Sequence, residues 1–285
     1  MIKIWSHIKN LEGEEFEDLY FSNYDIGIRG LFYHKDCPSI FLLPGRWQNS
    51  KDFTFSNPYK DIKYYLLSKK YNVFIIDYRS THLHCKKKFD LFTLDDFVED
   101  IEYLINFIDE ELKLTVKHIL GFSLGASFAF LLNPHIYQIL TSLIILDGGI
   151  LRKYERNESI QYVNPAWNKD YRKYNSHVQT SSVQYKLSGD KFFPENLLNQ
   201  FYFASKSKEN LLQSFGRHIS SIKLPILLLY AGKQPHRSVL TANLTQSIKI
   251  KKIYLFDTNH LDMYTSTFSR YVVFPKIKHW LEGIK

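Results

Sequence analysis

Cysteine is almost missing from this 285-residue chain: only Cys37 and Cys85 occur. No disulfide framework can be built from two thiols, and a reducing, cytoplasmic setting is the expectation. Glycine and proline are thin as well, 12 and 9 residues, which excludes a collagen-like or low-complexity chain. Long apolar runs are absent. Windows such as 224–231 fall far short of the roughly 20 residues a bilayer span requires. The opening, Met1 to Glu15, sets Lys3, His7 and Lys9 before Glu12, Glu14 and Glu15, with no apolar stretch of signal-peptide length. A soluble protein without a transmembrane segment is expected.

What is present is material for a core, 45% apolar against 23% charged residues. That suits one large globular unit or a core domain carrying an insertion. The formal net charge of +8 favours acidic small molecules, anionic surfaces or nucleic acid as company. Because the positive charge is scattered and no recognition motif accompanies it, nucleic acid is not an expected partner. His82 and His84 beside Cys85 are two alternating imidazoles in a loop. They are read as solvated side chains, so neither a metal nor a cofactor is expected. No sequence signal bears on oligomeric state.

Short apolar runs alternate with helical patterns, the signature of parallel strands joined by crossover helices. Phe16 to Phe21 and Gly27 to Phe32 read as a leading hairpin through Asn23. Further strands are expected at Ile40 to Leu43, Val73 to Asp77, His118 to Leu120, Leu143 to Leu146, Ile226 to Tyr230 and Lys252 to Phe256. These six are near-continuous Val/Ile/Leu/Phe segments, as strands covered on both faces should be. Between Leu91 and Leu112 the residues Phe97, Ile101, Leu104, Ile105, Ile108 and Leu112 form one helical stripe. Thr93 with Asp96 gives it a capping-box-like start. Helices are also expected from Leu124 and from about Phe268 to Leu281.

From 150 to 221 strand runs stop, and the segment carries 11 Lys/Arg against 6 Asp/Glu, most of the chain's positive surplus. A structureless loop of that length inside a compact domain is improbable. The expected organisation is therefore a core formed by 1–149 and 222–285, with 150–221 inserted as a mainly helical cap.

Gly121-Phe122-Ser123-Leu124-Gly125 fits G-x-S-x-G with an apolar strand before it and a helix after it. A serine on such a strand-to-helix turn stands clear of the sheet, and the two glycines remove side chains that would collide there. Ser123 is the expected nucleophile. A hydroxyl needs a base to take its proton, and His260 lies four residues beyond the strand ending at Phe256. That is the carboxyl edge where wound sheets gather their sites.

With these residues in place, the chain resembles the α/β-hydrolase superfamily over most of its length outside the cap. Leu43-Pro44-Gly45-Arg46 stands where the family has its His-Gly oxyanion loop, with Pro44 replacing the histidine. Asp77-Tyr78-Arg79, followed by 93–100, is similar to the family's stretch from the fourth strand into the next helix. Ser80 to His84 replaces its glycine-rich turn there. The resemblance implies an α/β-hydrolase fold and an oxyanion hole made by the backbone N–H groups of Arg46 and Leu124.

It also raises a question about the triad acid. In most of the family the acid follows the strand corresponding to Ile226 to Tyr230, but that turn reads Ala231-Gly232-Lys233-Gln234-Pro235-His236. Gln234 could hold the histidine without balancing imidazolium charge. Some members place the acid one strand earlier, and Asp147 at the end of Leu143 to Leu146 is the expected residue here. Its alternative role is structural, closing the turn into the cap. Asp257 and Asp262 are weaker alternatives, being close neighbours of His260.

Serine, histidine and an oxyanion hole support acyl transfer. An ester or thioester hydrolase without cofactor, acting on a small-molecule acyl substrate, is the leading expectation. A basic cap suits an anionic or amphiphilic one. The rivals are an acyltransferase or cyclase using the same nucleophile, and a catalytically impaired binding protein with the hydrolase fold.

Overall fold

The computed structural model describes residues 6–9, 15–21, 26–45, 48–50, 61–79, 94–149, 222–232, 248 and 251–284. The expected cap at 150–221, Arg46, Thr93, the stretch from His82 to Cys85, and Gln234 lie outside the described residues.

Nine strands are described: β1 (Ser6–Lys9), β2 (Glu15–Phe21), β3 (Ile26–Leu31), β4 (Ser39–Leu43), β5 (Asn72–Asp77), β6 (Val116–Phe122), β7 (Ser142–Leu146), β8 (Ile226–Ala231) and β9 (Lys251–Phe256). They form one sheet in the order β1-β2-β3-β5-β4-β6-β7-β8-β9. Pairing is antiparallel from β1 to β5 and parallel from β5 through β4 to β9. The segments before 150 and after 221 thus both supply strands to the same sheet. β1 has no apolar alternation that could have announced it. Its pairing with β2, Ser6 opposite Asp18 to Lys9 opposite Glu15, is what defines it as a strand.

Alternation sorts the parallel strands between two apolar layers. Phe41, Leu43, Phe74, Ile76, Ile119, Ile145, Leu228 and Tyr230 pack on one face with helices α2 (Leu94–Glu110) and α3 (Leu124–Ala129). Ile40, Leu42, Val73, Ile75, Leu120, Ile144, Leu227 and Leu229 pack on the other with α1 (Ile62–Leu67). Helix α4 (Pro134–Ile139) adds Ile136 and Tyr137 to the first layer. Phe97, Ile101, Leu104, Ile105 and Ile108 of α2 are all fully buried, so the predicted stripe is the packed face. Arg79 ties the end of β5 to this helix, with Nε 2.5 Å and Nη2 2.8 Å from the two carboxylate oxygens of Asp100 and Nη1 3.2 Å from Asp96.

One expectation needs correction. Lys252 to Phe256 was expected to be covered on both faces, yet Lys252 and Ile253 are exposed and burial is complete only at Phe256. β9 is the last strand in the described order, with a described neighbour on one side only. The final helix covers the expected 268–281 and has a π-helical turn in its first part. After α5 (Asp262–Thr265), a π-helical turn at Ser269–Val273 leads into α6 (Phe274–Gly283). The N–H of Phe274 reaches back to Ser269 O, and Pro275 behind it has no N–H with which to continue an ordinary ladder. Phe274, Ile277, Trp280 and Leu281 then complete the second layer.

Buried polar contacts tie β6 and β7 to α6 on the face of the second layer. His118 of β6 places Nδ1 2.9 Å from Ser142 Oγ of β7, and that oxygen accepts from Trp280 Nε1 at 3.3 Å. Burial, with Lys117 adding to it, pushes the His118 imidazole down to about 4. Among the described residues no helix is long and apolar enough to cross a membrane.

Candidate active site

The carboxyl ends of β4, β6, β7, β8 and β9 lie along one edge of the parallel part of the sheet, where a wound fold leaves a crevice. Each is followed by a residue that the sequence singled out or by one of its close neighbours.

Ser123 joins β6 to α3 with φ 53° and ψ −113°. Among the described residues it is one of four non-glycine positions with positive φ, a conformation that costs about 1–3 kcal/mol and persists only where its surroundings enforce it. The enforcement is visible on three sides. A Cβ on Gly121 would lie 2.6 Å from Ala126 Cα, one on Gly125 would fall on the carbonyl of Leu43, and one on Gly148 would fall on the carbonyl of Ser123. Backbone bonds complete the turn, Ser123 N–H donating to Leu146 O at 3.0 Å and Ala126 N–H to Ser123 O at 3.2 Å. Ser123 itself is partly exposed.

Asp147 ends β7, the strand beside that of the serine, and is another of the four positive-φ residues, at 43°. Its side chain is fully buried. Oδ1 accepts from the N–H of Ala231 at 2.9 Å, and Oδ2 lies 2.5 Å from His260 Nδ1. The backbone is fixed too, Asp147 N–H donating to Leu229 O at 2.7 Å. Sequence reasoning left open whether this carboxylate would serve the histidine or merely close a turn. It contacts both the histidine and the end of β8.

His260 follows β9 and leads into α5, with 22% of its side chain exposed. Its ring stacks on Phe122, the residue before the serine, with centroids 4.7 Å apart and planes inclined by 25°. With Nδ1 donating to a carboxylate, Nε2 is the nitrogen left to act as a base. Asp257 is exposed at the start of this loop, and Asp262 accepts from Asn259 Nδ2 at 3.0 Å.

Of the expected oxyanion donors, Leu124 opens α3, while Arg46 lies outside the described residues. Gly45, just before it, packs against the serine turn: a Cβ there would stand 3.0 Å from Ser123 Cβ. Tyr78 donates to Pro44 O at 2.9 Å. Three side chains near this site had no signal in the sequence. Gln48 and Tyr264 are buried and bonded to one another, and Phe122 packs against both His260 and Tyr264. Gln48 and Tyr264 belong to no motif, and Phe122 fills a variable position of the G-x-S-x-G segment. Among the described residues, no cluster of three or more His, Cys, Asp or Glu is positioned to hold a metal ion.

No protein-family model and no curated protein sequence matches the chain. Solved structures do. A candidate lipase from Sulfolobus solfataricus is similar at 18% identity and a TM-score of 0.61, over 98% of this chain and 99% of its own. An esterase from Pyrococcus furiosus is similar at 14% identity and a TM-score of 0.56, over 99% of this chain and 93% of its own. An α/β-hydrolase enzyme from the metagenome of lagoon sediments at Mar Chica, Morocco, is similar at 15% identity and a TM-score of 0.53, over 90% of this chain and 95% of its own. At such identities the likeness speaks for architecture. With the nine-stranded sheet, the serine turn and the strand order described above, it establishes that this chain has the α/β-hydrolase fold.

Proposed function

We propose that the chain is a serine hydrolase that cleaves a carboxylic ester or thioester through an acyl-enzyme, with Ser123, His260 and Asp147 as its triad. The observation that carries this reading is the buried Asp147 carboxylate 2.5 Å from His260 Nδ1, on the strand next to the one that ends in the strained Ser123 turn. Structural neighbours called an esterase and an α/β-hydrolase enzyme support it at the level of reaction class.

In this reading His260 Nε2 takes the Ser123 proton as Oγ attacks the substrate carbonyl, forming a C–O bond while the carbonyl π pair moves to oxygen. The N–H groups of Leu124 and Arg46 hold that oxyanion. Collapse expels the alcohol or thiol, which receives the proton from His260, and leaves Ser123 acylated. Water then repeats the sequence, His260 taking its proton and returning it to Ser123 as the acid departs. Asp147 keeps the ring in the required tautomer and offsets the imidazolium charge in both halves. Residues 150–221 would form the basic cap over this edge, which favours acyl substrates with an anionic head group.

The test is release of p-nitrophenol from esters of graded chain length, together with labelling by a fluorophosphonate probe. Turnover and labelling that both disappear in Ser123→Ala are the expected result. A native protein that neither turns over ester nor takes up the probe overturns the proposal in favour of a binding protein. Product analysis with added alcohols or amines separates hydrolysis from acyl transfer.

A further inference from the structure

We infer that Gln48 is a positioning residue for this reaction, fixing the loop after β4 against the wall that carries the histidine. The inference rests on the serine-hydrolase reading above. Gln48 is 1% exposed, and a buried amide is retained at little cost only where its polar atoms are bonded. Its Oε1 accepts from Gly45 N–H at 2.6 Å, and its own N–H donates back to Gly45 O at 3.3 Å. The two ends of the four-residue segment 45–48 are therefore held together twice, once through the main chain and once through this side chain.

The amide orientation follows from its partners. A backbone N–H can only donate, so the atom facing Gly45 is the carbonyl oxygen, and the NH2 group faces the Tyr264 hydroxyl, to which it donates. Tyr264 is fully buried, and its ring lies 4.4 Å from that of Phe122, which stacks on His260. One side chain thus connects the glycine beside Ser123 Cβ with the aromatic wall behind the imidazole. From the other direction Tyr78 holds Pro44 O at 2.9 Å. The proposed oxyanion donor, the N–H of Arg46, belongs to the segment whose two ends Gln48 clamps.

A hydrophobic residue of the same volume would fill the space but remove the side-chain acceptor of Gly45 N–H and the bond from Gln48 to Tyr264. The loop would then be free to shift, and a displacement of about 1 Å at a reacting centre is enough to lose on the order of 10²-fold in rate. Because that donor acts on charge that develops only in the transition state, the loss should fall on kcat and leave KM nearly unchanged.

The experiment compares native protein, Gln48→Met and Tyr264→Phe in p-nitrophenyl ester turnover and in affinity for a trifluoromethyl ketone, a mimic of the tetrahedral state. Gln48→Met is expected to lose about 10- to 100-fold in kcat and to bind the ketone more weakly by a similar factor, at near-native KM. Tyr264→Phe, which keeps the ring against Phe122, is expected to lose several-fold in the same two quantities. A folded Gln48→Met with native kcat and ketone affinity, or with a change confined to KM or thermal stability, overturns the inference. If Gln48→Met does not fold, Tyr264→Phe decides alone, and native values for it overturn the inference. Absence of Ser123-dependent turnover in the native protein is a separate outcome: it removes the serine-hydrolase reading and this inference with it.

Discussion

Asp147 and His260, 113 residues apart in the chain, meet with Oδ2 and Nδ1 2.5 Å apart, and the other carboxylate oxygen is held by the N–H of Ala231. The carboxylate is thereby aimed by the strand beside it as well as by the histidine it faces. Asp147→Asn preserves volume and the acceptor for Ala231 but presents an NH2 group to Nδ1. That stabilises the tautomer with its proton on Nε2, the nitrogen needed as base. Ester turnover is expected to fall by about 10³- to 10⁴-fold, with the urea midpoint little changed. An Asn variant with native turnover would exclude Asp147 from the chemistry.

Gly125→Ala probes the serine turn from the opposite side. A Cβ at this position would fall on the carbonyl of Leu43, and backbone cannot yield as a flexible side chain can. Overpacking of this kind costs about 1–3 kcal/mol or more. The variant should show a lowered urea midpoint and weakened labelling by a fluorophosphonate, whereas native stability would contradict the close approach of β4 to α3.

The buried imidazole of His118 makes stability depend on acid. In the unfolded chain it takes up a proton near pH 6.5, whereas in the folded protein burial delays this to about 4. Between those values the unfolded state binds more protons, so stability rises with pH across the window and is lost as pH falls through it. The full effect is about 3 kcal/mol at most. Urea midpoints measured from pH 4 to 7 should fall toward acid in the native protein and fall less in His118→Gln, which cannot titrate. Parallel slopes for the two would refute the assignment.

Arg79 holds the Asp100 carboxylate in a two-pronged bond while only 3% of that side chain is exposed. Arg79→Met leaves this carboxylate without its cation, and breaking such a pair from one side costs about 3 kcal/mol. Asp100→Leu in the same chain should restore much of the loss. A double variant no more stable than Arg79→Met would show that the stranded Asp100 carboxylate is not the source of the loss.

Much of this architecture was legible in the residue pattern, and the exceptions have physical causes. The buried strands β4 to β8 announce themselves because both faces need apolar side chains, so composition alone marks them. β1 could not be found that way, since what defines it is backbone pairing with β2. Ser123 and His260 were legible because a glycine-flanked turn and a position after the last strand are local features. Asp147 was harder: a lone carboxylate after β7 has the same local appearance whether it orients an imidazole or closes a turn, and only the fold brings the histidine to it. Gln48 and Tyr264 were silent because their bond joins residues 216 positions apart, a relation that no local window contains.

Two of the three proposed catalytic groups ride on adjacent interior strands, β6 and β7, and so share the fate of the most deeply packed part of the molecule. The third arrives behind β9, whose leading residues face solvent at the sheet's last described position. Partial detachment of that margin would withdraw the imidazole while leaving the hydroxyl and carboxylate on their scaffold, because peripheral segments open at lower free energy than the whole. On gentle heating, enzymatic competence should therefore vanish at a temperature where far-ultraviolet ellipticity still reports an intact sheet, and it should return on cooling.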